Sequence, residues 1–181
     1  MQLSDLVRVY PDALSRATCS QLITGFEALQ GEHVHVHTEG PWFTELNLTQ
    51  RWQRGHEMAF EAILPLFEAY SRDLQIFPTQ WPEQLAFEEL RMKRYRPEGE
   101  EAFPEHVDVG DHASARRFLA ALLYLNDVDE GGATVFPGWG QQIQPVAGTV
   151  VLFPPLWPWL HAGRPPISGP KYIISSYLHY T

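Results

Sequence analysis

"RRFLAALLYLND", residues 116–127, is the stretch on which the fold turns. Its apolar run is nearly unbroken, so periodicity alone reads it as a buried strand or a short helix. It lies between two turn-rich segments and contains aromatic residues, which favours the strand. The surrounding segments then read in the same way. "LAFEELRMKRY" (85–95) alternates as one strand, "EAFPEHVDVG" (101–110) is another, "GTVVLFPP" (148–155) is a buried strand bounded by Gly and Pro, and "PKYIISSYLHY" (170–180) is a last one. "GGATVFPGWG" (131–140) holds tight turns.

Upstream the texture is different. "LVRVYPDALS" (6–15) gives a short strand and a turn at Pro11. "SRATCSQLITGFEAL" (15–29) spaces its apolar residues as a helix does. "TQRWQRGHEMAFEAILPLFEAYSRDLQ" (49–75) is a second long helical stretch, with a stripe of Ala59, Ile63, Leu66, Phe67 and Tyr70 and an awkward Pro65 inside it. Helices first and short strands after predict an α+β fold: a β-sandwich or barrel of jelly-roll type, with N-terminal helices packed on one side. No repeat, low-complexity segment or linker divides the chain. One domain over 1–181 is expected, with 1–84 mainly helical support and 85–181 the jelly-roll core.

The chain has 181 residues and a net charge of −9, from 13 Lys+Arg against 22 Asp+Glu. That balance opposes general affinity for nucleic acid, which rests on clustered cations neutralising phosphates. Two local basic strips stand out, Arg91, Lys93, Arg94 and Arg96, and the pair Arg116 and Arg117; both read as solvated strand ends. The single cysteine, Cys19, allows neither an intrachain disulfide nor a cysteine-rich zinc site. No secretory signal or membrane-length apolar run is seen. A soluble cytoplasmic protein without a membrane partner is the expectation.

His106 and Asp108 share a strand face, so their donors can converge on one ion. The pair equally suits a plain exposed face. His33, His35 and His37 also alternate, but an i, i+4 pair on a straight strand lies about 13 Å apart, too far to close around one ion. They read as a polar strand face. With His161 in "WPWLHAGRPP" (157–166), His106 and Asp108 supply the two-histidine, one-carboxylate donor set that holds Fe(II) on one face and leaves the other open. A zinc hydrolase could use these ligands, but no general base stands beside them; Glu105 points to the opposite strand face. Lys171 opens an apolar strand and needs explaining, unless it merely snorkels.

"HVD", "LLYLND", "GGATVFP", "PVAGTVVLF" and "HAGRPPISGPKY", in this order, resemble the catalytic domain of the prolyl 4-hydroxylases, over roughly residues 85–179. The resemblance implies a double-stranded β-helix (jelly-roll) core and an enzyme that uses Fe(II), 2-oxoglutarate and O2, with ascorbate as an auxiliary cofactor, and releases succinate and CO2. It implies that His106, Asp108 and His161 ligate iron. It implies that Lys171 pairs with the distal carboxylate of 2-oxoglutarate, that the Tyr124 hydroxyl reaches the same carboxylate, and that Tyr95 lines the cosubstrate pocket. A lysine so placed suits the prolyl-hydroxylase branch, and Asp108 excludes the halogenase variation. The implied substrate is proline in a protein, in a peptide or free. Trp139, Trp157, Trp159 and Tyr177 are candidate walls for its ring, and Arg96 or Arg164 a candidate partner for a substrate carboxylate. Tyr177 stands where some relatives have tryptophan, and the connection "GWGQQIQ" (138–144) is short. The alternatives are a hydroxylase or demethylase of another substrate within the superfamily, and a non-catalytic β-sandwich binding module. His112 and His179 are expected at the surface.

Overall fold

A computed structural model describes residues 2–97 and 101–181. Among them, two long helices and twelve strands are arranged as two sheets and a helical layer. The strands are β1 (Arg8–Tyr10), β2 (Val34–His37), β3 (Trp42–Asn47), β4 (Leu85–Phe87), β5 (Arg91–Tyr95), β6 (Phe103–His106), β7 (Arg117–Tyr124), β8 (Thr134–Phe136), β9 (Gln141–Ile143), β10 (Val150–Phe153), β11 (His161–Gly163) and β12 (Lys171–Tyr180). The large sheet runs β1-β10-β7-β12-β5-β3-β2, with β4 beside the far half of β12; the small sheet runs β6-β11-β8-β9. All paired strands are antiparallel. This is the expected jelly-roll arrangement with helices on one side.

The stretch 116–127 forms β7, in the middle of the large sheet, and the reason for its unbroken apolar run is burial on both faces. Leu119, Ala121 and Leu123 join Met92, Val150, Leu152 and Ile174 under the helices. Ala120 and Tyr124 join Tyr95, Val151, Phe153 and Ile173 between the two sheets. Period-2 alternation thus assigns each strand residue to one of two cores.

Helix α1 (Arg16–Ala28) starts at Ser15, whose hydroxyl accepts from the Thr18 amide, and buries Cys19, Leu22 and Phe26. The second helical stretch is broken: α2 (Leu48–Arg51) stops at Trp52 and α3 (Gln53–Asp73) continues, running through Pro65. The Trp52 ring is wedged between helices. A Cβ on Gly25 would sit 2.1 Å from it and one on Gly55 2.3 Å, so only glycine admits the ring at those two places. Ala59, Ile63, Phe67 and Tyr70 face the core, and Leu66 packs partly buried against it.

The strand assignments of the sequence need three corrections. The N-terminal part holds β3 as well as the two strands expected there, β1 and β2, and all three extend the large sheet. "LAFEELRMKRY" is two strands, β4 and β5, because Glu88–Leu90 leave the ladder, although both pair with the same β12. "GGATVFPGWG" contains β8 as well as turns.

The basic strip is not simply solvated. Arg94 is buried and donates two hydrogen bonds to Glu27 of α1, at 2.7 and 2.8 Å. Tyr172, opposite it in the ladder, donates to the same carboxylate at 2.8 Å. Burial would raise the Glu27 carboxyl, but these two partners bring it below its ordinary value. His179 is buried rather than exposed, with Nδ1 2.8 Å from the Tyr180 carbonyl, whereas His112 is at the surface. No helix among the described residues is long and apolar enough to cross a membrane.

Candidate active site

The small sheet brings the two distant histidines together. β6 and β11 pair with His106 directly opposite His161. Asp108 lies in a bend just past the end of β6, not on the strand as its alternation with His106 suggests. Even so, one donor atom from each of the three lies within 4.8 Å of the others. His106 Nε2 is 3.5 Å from Asp108 Oδ1, and His161 Nε2 is 3.7 Å from Asp108 Oδ2.

The ring orientations are set by backbone carbonyls. His106 Nδ1 is 2.8 Å from the Pro104 carbonyl and His161 Nδ1 is 3.0 Å from the Trp159 carbonyl. A carbonyl only accepts, so each Nδ1 carries the proton and each Nε2 presents a lone pair. Burial, against the pull of Asp108, holds the His161 imidazole below its ordinary pKa and favours its neutral form. Two nitrogen lone pairs and a carboxylate therefore face one point, an arrangement of acceptors that a cation resolves. Nitrogen and oxygen donors on one side, with the other open, fit Fe(II).

Asp108 is further fixed from behind. The Tyr177 hydroxyl donates to its Oδ1 at 2.6 Å, and Arg117 donates to its backbone carbonyl at 2.7 Å. The Arg117 guanidinium lies 4.0 Å over the Tyr177 ring and forks onto Glu88 with two 3.0 Å bonds. Burial would raise the Asp108 carboxyl, but His106, His161 and Tyr177 together lower it. Burial and the neighbouring Asp108 charge raise the Tyr177 phenol.

Lys171 occupies the other end of the site. Its side chain is buried, donates to the Gly132 carbonyl at 2.6 Å, and passes 5.6 and 5.5 Å from the ring centres of Tyr95 and Tyr124. Burial pushes its pKa down from 10.5 to about 7. No carboxylate reaches it among the described residues, so snorkelling to solvent does not explain it. Tyr95 pairs with Lys171 across the ladder. Tyr124 is fully buried and donates to Thr134 Oγ1 at 2.7 Å.

A narrow cavity, partly open to solvent, joins these parts; Lys93, His106, Asp108, His161, Lys171 and Tyr177 line it. A wider, polar groove shares Asp108 and runs past Glu88, Arg91, Arg116 and Arg117. The tryptophans do not wall the cavity. Trp157 is 79% exposed, Trp159 is buried with its indole N–H donating to the Leu3 carbonyl, and Trp139 stacks on Phe136. Only Tyr177 of the four aromatic candidates lines it. Arg164 is engaged by Glu105 at 3.4 Å, and the two exposed side chains lie outside it. Arg96 is exposed. Sequence reading missed Lys93 in this cavity and the bond from Tyr177 to Asp108. The signal was present: 171, 173, 175 and 177 share one face of β12, and 93 shares a face with 95 on β5.

Residues 90–179 match the family described as the 2OG-Fe(II) oxygenase superfamily. Prolyl 4-hydroxylase subunit alpha-1 of Gallus gallus is 32% identical over 108 residues, covering 51% of this chain and 20% of its own. A putative prolyl 4-hydroxylase of Acanthamoeba polyphaga mimivirus is 32% identical over 131 residues, covering 62% of this chain and 51% of its own. The chain thus spans only between a fifth and about half of these relatives. The fold matches the 2OG complex of a viral collagen prolyl hydroxylase from Paramecium Bursaria Chlorella virus-1, with a TM-score of 0.69, 21% identity and 97% of each chain covered.

Proposed function

Through residues 90–179 the chain belongs to the 2OG-Fe(II) oxygenase superfamily, and from that premise we propose that it is a 2-oxoglutarate-dependent dioxygenase that hydroxylates proline in a protein or peptide, or free proline. One observation carries the reading: three acceptor groups, His106, Asp108 and His161, converge in the same cavity as a buried Lys171 that has no carboxylate partner among the described residues. When bound, Fe(II), 2-oxoglutarate and O2 supply the oxidising chemistry, which releases succinate and CO2 and places one oxygen atom on a substrate carbon.

The residues of the chain orient and shield. His106, Asp108 and His161 would hold the metal on one side, Asp108 as the carboxylate and the two histidines through the Nε2 atoms that their carbonyl-bound Nδ1 atoms leave free. Lys171 would meet the far carboxylate of the cosubstrate. That anion favours its protonated form, so binding restores the charge that burial weakens. Tyr95 walls this end. Tyr124 supports it through Thr134, which also lines the cavity. Ala120, Leu122 and Ile173 give the lining its apolar part, which limits water. Tyr177 and Arg117 keep Asp108 in place. The names of the curated relatives support proline as the substrate, and the polar groove beside Asp108 offers an extended peptide a path to the metal.

The test is anaerobic. Fe(II) and then 2-oxoglutarate are added, and the visible metal-to-ligand charge-transfer band is followed. The band should appear in the wild type and be lost in Asp108→Ala. Admission of air with proline-containing peptides should then yield succinate and a product heavier by one oxygen atom. A folded, metal-loaded protein without the band would overturn the reading.

A further inference from the structure

We propose that Lys93 is an anion-recognition site for the molecule being oxidised, and that this molecule carries a carboxylate close to the carbon attacked. The proposal rests on the oxygenase reading and adds a chemical class of substrate to it.

Lys93 lies in the middle of β5, two residues before Tyr95, so its side chain enters the space between the sheets. It faces Ile173 on β12 and Glu45 on β3. Its ammonium has no hydrogen bond or ion pair among the described residues. Instead it lies 5.0 Å from the ring centre of Phe43 and 5.7 Å from that of Phe103. Phe103 in turn stacks on His106 at 3.9 Å, so only one ring separates the ammonium from a metal-ligating side chain. Ring faces attract a cation weakly, and the half-buried ammonium stays available to an anion that enters the cavity.

The nearby carboxylates are occupied. Glu45 accepts from Arg91 at 2.6 Å, and Asp108 accepts from Tyr177 at 2.6 Å. Burial lowers the Lys93 pKa, against the attraction of both acids. The far carboxylate of 2-oxoglutarate is also accounted for in the proposed function, at Lys171. A second ammonium in the same cavity is left for a further anion, and the substrate is the remaining source.

Two kinds of substrate supply a carboxylate: an amino acid or chain end with its own α-carboxylate, and a peptide with an acidic side chain next to the proline. Three probes separate them: N-acetyl-L-proline, the uncharged N-acetyl-L-prolinamide, and N-acetyl-glutamyl-prolinamide. Each is titrated anaerobically into protein loaded with Fe(II) and 2-oxoglutarate, and the perturbation of the charge-transfer band is read. The wild type should bind one of the anionic probes at least about tenfold more tightly than the uncharged one, the scale of one charge-assisted bond. Lys93→Met should reduce that preference to under about threefold, and Lys93→Arg should keep most of it. Both variants should reach the band at the wild-type 2-oxoglutarate concentration. A preference that survives in Lys93→Met overturns the proposal, as does a wild type that binds all three probes equally or none. A higher 2-oxoglutarate requirement in Lys93→Met also overturns it, by assigning the lysine to the cosubstrate. Absence of the band in the loaded wild type is a separate result, which overturns the oxygenase reading itself.

Discussion

Lys171→Met should stabilise the ligand-free protein and weaken its hold on 2-oxoglutarate. Burial lowers the lysine from 10.5 to about 7, whereas in the unfolded chain it titrates near its ordinary value. Between those two pH values the unfolded chain binds more protons than the folded one, so wild-type stability rises with pH across that interval. Below it the penalty is fully present. Three to four pKa units at 1.36 kcal/mol each give a penalty of about 4 kcal/mol at neutral pH. Methionine fills a similar volume without the charge. It leaves the Gly132 carbonyl short of one hydrogen bond, which costs about 1 kcal/mol. The net gain is about 3 kcal/mol, or about 6–12 °C in Tm for a chain of this size. The cosubstrate should lose a charge-assisted bond of about 1.5–3 kcal/mol, so its half-saturation in the charge-transfer titration should rise roughly 10- to 100-fold. Thermal melts of metal-free protein from pH 7 to 10 check the first part, with Lys171→Met losing the upward slope. A variant that melts below the wild type, with the slope retained, would refute the desolvation argument. An unchanged half-saturation would refute the role of Lys171.

Three other outcomes follow from the geometry. Tyr177→Phe removes the 2.6 Å bond to Asp108 and should weaken Fe(II) binding by about 10- to 100-fold, measured by competition with a chelator; an unchanged affinity would mean that Arg117 and the backbone suffice. Gly55→Ala sets about 1 kcal/mol of helix propensity against a Cβ placed 2.3 Å from the Trp52 ring, and crowding should win, with a net loss of about 1–2 kcal/mol in urea denaturation; a gain would show that the ring moves freely. Glu27→Gln bears on pH. The folded carboxyl titrates below its ordinary 4.5, so its contribution is present above that value and lost as pH falls through the folded pKa. The Tm gap between wild type and Glu27→Gln should therefore be largest near neutrality and close below pH 4, roughly where carboxylates titrate; a gap independent of pH would count against the Arg94 pairing.

The parts of the fold legible in the sequence were those whose burial is uniform. The apolar runs of β7, β10 and β12 and the helical stripe of α3 announce themselves because nearly every inward position is apolar. β3 does not. Phe43, Thr44, Glu45 and Leu46 are all buried, so polar residues interrupt the pattern, and Glu45 is tolerated there only through Arg91 on the next strand. The break at Trp52 depends on two glycines, one of them on another helix. At the site, donor types and order suggested the triad, but its closure depends on the register of β6 against β11, which no local pattern encodes. The tryptophans misled because ring size alone does not say which core a ring fills. Lys93 reads as one more charge in a basic run, and nothing local in that run tells it from its neighbours, which are paired outside the cavity, Arg94 to α1 and Arg91 to Glu45 and Glu89.

β12 carries Lys171 at its start and Tyr177 six positions on, and it pairs with β4, β5 and β7, all distant in sequence. Such contacts form late, because long loops must close before they contribute. Until β11 and β12 dock, a folding chain offers a passing metal only His106 and Asp108, one donor short and without the anchor for its cosubstrate. The donor set and the buried lysine thus come together only in the finished fold.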